Sequence, residues 1–277
     1  MSAGSGPAPK ILLVIPARGG STRLPMKPLR SIAGISLLHR TIGLARRAVA
    51  LLDDASLVVA TDDAAIAAHA GAIGCDAIMT DAAISSGSGR ALAAALTIAQ
   101  RPDIVVNLQG DAPFQSPLAV SAVIAALARG DADVATPVVR LDWPALDALR
   151  RHKQDTPFSG TTCVRAADGR GLWFSKQILP AMRDEAGLRA EPVSPVWRHI
   201  GLYAYRLTAL EAFEAAPQTE LERLEGLEQL RLLELGLTIE TVEVAPARFD
   251  ISGIDTEADI VRAEALIAEH GDPLDDR

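Results

Sequence analysis

Cysteine is scarce in this sequence of 277 residues. The two cysteines, Cys75 and Cys163, are too few for a disulfide framework, and neither has the neighbouring cysteine and histidine residues of a zinc site. Hydrophobic residues make up 49% of the chain and charged residues 22%, which are ordinary fractions for a globular protein. The composition therefore favours a reducing, cytoplasmic setting over a secreted, disulfide-stabilised fold.

Long hydrophobic runs are also missing near the start of the chain, where a targeting segment would lie. Residues 1–9 are predicted to form a flexible polar tail. The run ILLVI at residues 11–15 is too short for a membrane span or for the apolar part of a signal peptide. We therefore predict that the protein is not inserted in a membrane.

Acidic residues are absent before Asp53, although the whole chain carries 35 acidic and 27 basic residues. The first 52 residues contain eight basic ones: Lys10, Arg18, Arg23, Lys27, Arg30, Arg40, Arg46 and Arg47. An acidic protein lacks the broad positive face that nucleic-acid binding requires, so we predict no nucleic-acid partner. A local group of basic residues can instead concentrate a small anion, although Arg40, Arg46 and Arg47 are better explained as solvated helix residues.

Short β-rich runs alternate with alanine-rich, amphipathic segments, and this alternation predicts an α/β fold with a mostly parallel sheet covered on both faces. The predicted strands are ILLVI, SLVVATD, DAIMT, DIVVNLQGD and DVATPVVRL. The predicted helices are GISLLHRTIGLARRAVALL, AAIAAHAGAIG, GRALAAALTIAQR and PLAVSAVIAALARG, with Gly71, Gly74 and Gly130 at helix ends. Ligands of such sheets bind beyond the carboxyl ends of the strands.

The pattern changes in the section at about 142–206, which holds all three tryptophans and both tyrosines. Its first part, RLDWPALDALRRHKQDTPFSG, is predicted to be polar and rich in turns, and GLWFSK and RHIGLYAYR are predicted strands. We interpret the section as an inserted β-rich subdomain that serves dimerisation. The rest, through residue 270, completes one domain with helix ELERLEGLEQLRLLELG, strand TIETVEVA and helix DTEADIVRAEALIAEHG, and 271–277 form a tail.

The stretch VIPARGGSTRLPMKP at residues 14–28 is the first candidate site. After Pro16, the residues Gly19, Gly20, Ser21 and Thr22 leave backbone N–H groups free to bind an anion, and Arg18, Arg23 and Lys27 add positive charge. The pattern matches neither the P-loop nor the dinucleotide fingerprint. It predicts a phosphate-binding loop, and a glycine turn with solvated charges is the alternative.

Two further segments place carboxylates at strand ends. In VVNLQGDAP, residues 105–113, Asp111 follows a buried strand that also presents Asn107 and Gln109, and a carboxylate there suits Mg²⁺. The alternative is that Asp111 caps the helix that begins near residue 116. In SGIDTEAD, residues 252–259, Asp255 is a second candidate ligand, and an N-cap role for Asp255 or Thr256 is the alternative.

Seven segments occur in the order and spacing of one known family. They are VIPARGGSTRLPMKPL, SSGSGRALAA, VVNLQGDAPFQSP, LWFSK, RHIGLYAYR, LEGLEQLRLLELG and GIDTEADIVRAEALI. From about Lys10 to Ile267 the chain resembles the 3-deoxy-manno-octulosonate (Kdo) cytidylyltransferases, or CMP-Kdo synthetases. The resemblance implies a three-layer sandwich like that of nucleotide-diphospho-sugar transferases and a homodimer. It also implies a reaction of CTP with an acidic sugar that yields a CMP-sugar and pyrophosphate for lipopolysaccharide or capsule synthesis.

The resemblance also implies a role for each residue that matches a family motif. Catalysis would depend on Lys27, Arg18 and Asp111, and Mg²⁺ would bind Asp111 and Asp255. The nucleotide would contact Pro16, Ala17, Arg18, Gly19, Ser21, Thr22, Lys27, Thr80, Ser86, Arg90, Gln109 and Gly110. The acceptor would contact Arg198, His199, Tyr203, Glu228 and Gln229.

Four positions depart from the family pattern. Ile84 and Gly89 replace a histidine and an acid in the motif His-x-Ser-Gly-Thr/Ser-Asp/Glu-Arg, Thr162 replaces a lysine, and Lys176 replaces an arginine. The missing acid predicts that Arg90 is released from a partner and that acceptor choice is altered. Two alternatives therefore stay open: a cytidylyltransferase for another acidic acceptor (an amino-Kdo, a nonulosonate-like sugar or a phosphonate), and a non-catalytic nucleotide-binding protein. The motifs G-x-S-x-G and H-E-x-x-H are absent, which argues against a hydrolase.

Overall fold

The predicted alternation of strands and helices is present in the computed structural model, which describes residues 8–21, 23–249, 251 and 253–275. The strands are β1 Ile11–Ala17, β2 Ser31–Ile32, β3 Ile35–Ser36, β4 Ala55–Thr61, β5 Ala77–Met79, β6 Ile104–Leu108, β7 Val134–Asp142, β8 Thr161–Arg165, β9 Gly171–Ser175, β10 Val193–His199, β11 Leu202–Arg206 and β12 Ile239–Glu243. The helices are α1 Leu37–Val49, α2 Ala64–Ala72, α3 Gly87–Thr97, α4 Pro117–Arg129, α5 Trp143–Asp155, α6 Glu185–Leu188, α7 Leu207–Ala215, α8 Glu220–Glu225, α9 Glu228–Glu234 and α10 Glu257–His270. Within these described ranges no helix is both long and apolar enough to span a bilayer.

One mixed sheet of ten strands organises the molecule, in the order β5-β4-β1-β6-β11-β7-β10-β8-β9, with β12 paired to β7. The first four strands of this order are parallel, as the alternation predicts, and β11, β7, β10, β8 and β9 are joined by antiparallel pairs. Strand β1 lies between β4 and β6, so the carboxyl ends of these three strands meet at one edge. This edge is where a ligand is expected.

Helices cover both faces of the sheet and make three layers, which confirms the predicted fold class. Alternate residues of β1 point to opposite faces: Leu13 and Ile15 pack in the cluster that includes α1 and α4 residues, and Leu12 and Val14 pack in the cluster that includes α3 and α7 residues. All four are essentially inaccessible to solvent. Burial of each such side chain contributes about 1.5–3 kcal/mol, so the apolar strand runs specify the layers.

The segment predicted to be polar and turn-rich contains a helix instead, α5. Trp143, Leu146 and Leu149 recur at helical spacing and are buried together with Leu141 and Val196. Asp142 caps the helix, because its side chain accepts a hydrogen bond of 2.8 Å from the Ala145 N–H. The charged residues between these apolar positions hide the pattern in the sequence.

Three boundaries also differ from the prediction. RHIGLYAYR forms parts of two strands, β10 and β11, because the chain turns between them. The predicted helix ELERLEGLEQLRLLELG is split into α8 and α9 at Gly226, whose φ is 64°. This left-handed conformation is one that glycine adopts without steric cost. Gly71 lies inside α2, and the chain leaves that helix at Ile73 before Gly74.

The aromatic-rich section extends the sheet, because β10 pairs with both β7 and β8, and β9 pairs with β8. Residues after α10 lie against α1: Arg40, which was expected to be a solvated helix residue, is buried and forms a salt bridge of 2.8 Å with Asp272, and Arg47 donates to the carbonyl oxygen of Pro273. The division into tails, domain and inserted subdomain, and the dimer itself, stay predictions. Residues 1–7 and 276–277 of the predicted tails lie outside the described residues.

Candidate active site

A cavity of about 510 Å³ opens at the carboxyl edge of β1 and β6. It brings together most of the residues predicted for the nucleotide and the metal: Pro16, Ala17, Arg18, Ser21, Lys27, Ser86, Arg90, Gln109, Gly110, Asp111 and Asp255. They come from segments separated by up to 240 positions, which the parallel strands place at one edge. Thr22 lies outside the described residues, so its predicted role stays a prediction.

The glycine-containing loop after β1 is held by the two residues that follow β4. The N–H of Gly19 donates a hydrogen bond of 3.3 Å to the Asp62 carboxylate. A Cβ atom on residue 19 would lie 2.7 Å from Oδ2 of Asp63, so a larger residue there would displace the side chain that caps α2. Arg18 is exposed at the cavity and has no ion-pair partner among the residues that the structure describes, so its charge faces the space where an anion would bind.

Lys27 connects the two carboxylates that were predicted to bind the metal. Its Nζ atom lies 2.7 Å from Oδ2 of Asp111 and 3.0 Å from Oδ1 of Asp255, and Arg23 lies 3.1 Å from the same oxygen of Asp255. Burial alone would lower the pKa of Lys27, but the charges and hydrogen bonds of Asp111 and Asp255 raise it above its ordinary value. Lys27 is therefore a cation that holds two carboxylates together.

Neither carboxylate serves as a helix cap, which resolves the alternatives in the sequence. The N-cap of α4 is Ser116, and the N-cap of α10 is Thr256, whose side chain accepts from the N–H of Asp259 in a reciprocal capping box. Asp111 and Asp255 face Lys27 instead.

The two carboxylates fit a divalent cation. Because a single Nζ atom contacts both, Oδ2 of Asp111 and Oδ1 of Asp255 converge on one point. Within the described ranges there is no group of three or more His, Cys, Asp or Glu side chains that could hold a metal. Two carboxylates are sufficient for an ion that takes its other ligands from water and phosphate, and enzymes that transfer nucleotidyl groups generally need such an ion.

The predicted acceptor residues lie on β10, β11 and α9. Of the five, all of which the structure describes, Glu228 lines the cavity, and the others are not among its lining residues. The buried side chain of Gln229 leaves its Nε2 atom without a partner in the described part of the chain. Arg198 is on β10, and its pairing register places it between β7 and β8.

His199 and Tyr203 form an aromatic pair behind Glu228, with ring centroids 5.4 Å apart. The Nε2 atom of His199 lies 2.9 Å from the Thr136 hydroxyl. Burial, together with the nearby Lys176 charge, lowers the pKa of His199 to about 3, so the ring is neutral. Burial and the Glu228 carboxylate raise the pKa of Tyr203 well above its ordinary value, so the phenol keeps its proton.

Glu228 brings a carboxylate to the cavity wall opposite the cationic loop. The Ser88 hydroxyl donates a hydrogen bond of 3.1 Å to Oε2 of Glu228. Burial is the main cause that raises the pKa of Glu228. The hydrogen bond from Ser88 lowers this pKa, and the charge of Glu214 raises it further. The cavity thus has a cationic side, formed by Arg18 and Lys27, and a hydrogen-bonding side at Glu228.

Comparison with known proteins decides the family. A family model described as cytidylyltransferase matches residues 12–239. The 3-deoxy-manno-octulosonate cytidylyltransferase of Maricaulis maris (strain MCS10) is 38% identical over 263 residues, which cover 95% of this chain and 98% of that protein. This chain belongs to the 3-deoxy-manno-octulosonate cytidylyltransferase family.

Two further relatives agree with this assignment. The 3-deoxy-manno-octulosonate cytidylyltransferase of Methylobacterium radiotolerans is 42% identical over 92% of this chain and 96% of that protein. A solved CMP:2-keto-3-deoxy-manno-octonic acid synthetase in complex with CTP superposes with a TM-score of 0.80 at 32% identity, covering 94% of this chain and 99% of that one. The predicted family, fold class and nucleotidyltransferase activity are thereby confirmed.

The structure corrects one expectation at the positions that depart from the family pattern. Arg90 was expected to lose its partner with the acid at position 89, but it is only 2% exposed and pairs with Asp62 at 3.1 Å. It also donates to the Thr80 hydroxyl and, at 2.9 Å, to the carbonyl oxygen of Ile84. Thr80 is therefore a partner of Arg90 and is not among the cavity-lining residues.

A carboxylate does stand near position 89, and it comes from another helix. A Cβ atom on Gly89 would lie 2.8 Å from Oε2 of Glu214, which α7 carries. Glu214 and Gly89 line a second cavity of about 410 Å³ that meets the first at Ser85 and Ser86. Sequence reasoning missed Glu214, because nothing in the pattern of α7 indicates its position in space.

The two other residues that depart from the family pattern, Thr162 and Lys176, lie close to each other. The Thr162 hydroxyl donates to the carbonyl oxygen of Gln177 and accepts from the N–H of Leu179, so it braces the chain after β9. The Lys176 ammonium donates a hydrogen bond of 3.2 Å to the neighbouring Thr161 hydroxyl. A lysine ammonium group therefore contacts residue 161, the neighbour of position 162 in β8.

Proposed function

We propose that this protein is a Kdo cytidylyltransferase, which joins CTP to Kdo and releases CMP-Kdo and pyrophosphate. The observation that carries the proposal is the convergence of Lys27, Asp111 and Asp255 beside the glycine-containing loop, in one cavity. This arrangement supplies cations and carboxylates where a triphosphate would lie, in a chain that belongs to the family.

The reaction needs positioning and charge stabilisation more than a covalent nucleophile. An acceptor hydroxyl oxygen forms a bond to the α-phosphorus of CTP as the bond to the bridging oxygen breaks, and pyrophosphate leaves. Negative charge grows on the bridging and leaving oxygens. Arg18 and Lys27, with the N–H groups of the loop, are placed to stabilise that charge.

Mg²⁺ is the proposed metal, held by Asp111 and Asp255. When bound, it would neutralise charge on the triphosphate and favour the leaving of pyrophosphate. Lys27 occupies the point between the two carboxylates, and its flexible side chain can turn from them to the phosphates.

The acceptor is proposed to bind on the Glu228 side of the cavity. Glu228 can accept a hydrogen bond from an acceptor hydroxyl, and Arg198, His199, Tyr203 and Gln229, which lie outside the cavity lining, are proposed to support that side. The neutral state of His199 and the protonated Tyr203 suit them to hydrogen bonding with a polyhydroxy acid. We also propose that the protein is a cytoplasmic homodimer.

Release of pyrophosphate, measured by a coupled assay with each of the four nucleoside triphosphates and a panel of acidic acceptors, tests the proposal. We expect turnover with CTP and Kdo and its loss when Mg²⁺ is chelated. Turnover with a different acidic sugar or a phosphonate, but not with Kdo, would favour the sister cytidylyltransferase. Binding of CTP without release of pyrophosphate for any acceptor would favour a non-catalytic nucleotide-binding protein.

A further inference from the structure

Asp62 is an acidic residue at the edge of a site that should bind an anion. It follows the last residue of β4 and is half-buried. One carboxylate oxygen accepts from the N–H of Gly19 at 3.3 Å, and the other accepts from Arg90 at 3.1 Å. Asp62 thus contacts the glycine-containing loop on one side and α3 on the other.

Arg90 continues this connection to the segment that precedes α3. Its guanidinium group donates to the Thr80 hydroxyl and to the carbonyl oxygen of Ile84, so it fixes the chain between β5 and α3. Because Arg90 is almost completely buried, its charge requires a partner in the protein, and Asp62 forms an ion pair with it. The Asp62–Arg90 ion pair therefore links the loop at residues 18–21 to the segment at residues 80–84, which leads into the cavity-lining residues Ser85 and Ser86.

The two physical effects of Asp62 on nucleotide binding have opposite signs. By charge alone, a carboxylate near the loop repels a triphosphate and weakens its binding. By its hydrogen bonds, the same carboxylate fixes the loop and Arg90 in place, which reduces the ordering cost when the nucleotide binds. The geometry favours the second effect, since both carboxylate oxygens are engaged and the charge is neutralised by Arg90.

We propose that Asp62 is a positioning residue for the nucleotide, acting through Gly19 and Arg90, and this inference rests on the proposed cytidylyltransferase function. Asp62 itself does not touch the substrate. It holds in place the loop whose N–H groups and Arg18 contact the nucleotide. In the sequence, Asp62 lies in the segment TDD at the end of a predicted strand, and that pattern gives no indication of this role.

The test compares Asp62→Ala and Asp62→Asn with Asp81→Asn by calorimetric titration of CTP and by steady-state kinetics. Asp81 is an exposed acid in the 80–84 segment that does not line the cavity, and its asparagine variant removes the same charge while it keeps an acceptor for the Ala83 N–H. We expect Asp62→Ala to raise the Kd and KM for CTP by about tenfold or more, with the acceptor KM unchanged. Asp62→Asn should give a smaller increase, because its amide oxygen still accepts from Gly19. Asp81→Asn should leave CTP binding unchanged or slightly tighter.

The direction in which the Asp62 substitutions change CTP affinity decides whether the inference holds. CTP affinity that is unchanged or tighter in both folded Asp62 variants would overturn it, since charge would then be the only effect of Asp62. An equal rise in the KM for CTP and the acceptor would also overturn it, because general destabilisation of the site would explain both. If Asp62→Ala does not fold, Asp62→Asn alone gives the decision. Wild-type protein that binds no CTP would overturn the proposed function and this inference with it, whereas normal wild-type turnover with unaffected variants would overturn the inference alone.

Discussion

The Glu214 carboxylate occupies the space into which a side chain at position 89 would project. A Cβ atom there would lie 2.8 Å from Oε2 of Glu214, and equally close to the Ser86 hydroxyl that caps α3. Glycine at 89 and the acid at 214 are therefore coupled. The family's acid at position 89 is absent from α3, yet a carboxylate is present at that place.

This coupling predicts that Gly89→Asp, which restores the family's acid, destabilises the protein and lowers its activity with Kdo. Two carboxylates would be brought together, and the added side chain would displace the Glu214 carboxylate or the Ser86 hydroxyl, at a cost of about 1–3 kcal/mol. Thermal unfolding and Kdo kinetics measure the two effects. Glu214→Ala in the same chain should relieve part of the loss. Additive effects of the two substitutions in a double-mutant cycle would show that the residues are not coupled.

The paired aspartates predict a large loss of turnover in Asp111→Asn and in Asp255→Asn. Each substitution removes a negative charge from the proposed metal site with little change in shape, so we expect turnover to fall by at least ~10²-fold. CTP binding should weaken less, because Arg18 and Lys27 would still contact the phosphates. Glu257→Gln is the matched control, since Glu257 is an exposed acid two positions from Asp255 that pairs with Arg30. Near-normal turnover in either aspartate variant would remove that residue from the metal site.

The low pKa of His199 predicts that acid destabilises the protein. The pKa of His199 is about 3 in the folded state and 6.5 in its ordinary state, so between these values the unfolded chain binds a proton that the folded chain does not. Stability contributed by neutral His199 is therefore present above pH 6.5 and lost as the pH falls toward 3.

Denaturant unfolding of the wild type and of His199→Gln, at several pH values, measures this contribution. The free-energy difference between wild type and variant should shift in favour of the variant as the pH falls through that range. A difference that is independent of pH would mean that His199 titrates normally in the folded protein.

The aromatic-rich section predicts a dimer with a defined surface. Three large apolar side chains in it are exposed, Phe158 at 71%, Leu172 at 45% and Leu188 at 39%, and Leu172 lies on β9 at the edge of the sheet. We expect light scattering to detect a dimer at micromolar concentration, and Phe158→Ser or Leu172→Lys to weaken it. Leu224→Lys is the control, because Leu224 is equally exposed at 72% but lies on α8 outside this section. A monomeric wild-type protein would contradict the predicted assembly.

Much of the fold is predictable because its signals are local. Apolar runs of five to seven residues specify β1, β4 and β6, and the Thr256–Asp259 capping box marks the start of α10. Helix α5 was not predicted, since its apolar residues are too widely spaced among charges for the pattern to stand out. The break at Gly226 was also missed, because glycine marks a turn only when the neighbouring helices have another element to pack against.

The sequence by itself determined the α/β class and marked the glycine-containing loop and two aspartates as candidates for phosphate and metal binding, because each of these signals depends on the chemistry of a short segment. Only the tertiary structure decided which of these groups meet. Lys27 contacts carboxylates that lie 84 and 228 positions away, Asp62 joins Gly19 to Arg90, and Glu214 stands beside Gly89. Such contacts depend on how the parallel strands and the helices that cover them are packed. The residues that flank a side chain in the sequence are the same whether or not its partner lies nearby, so they do not indicate the contact.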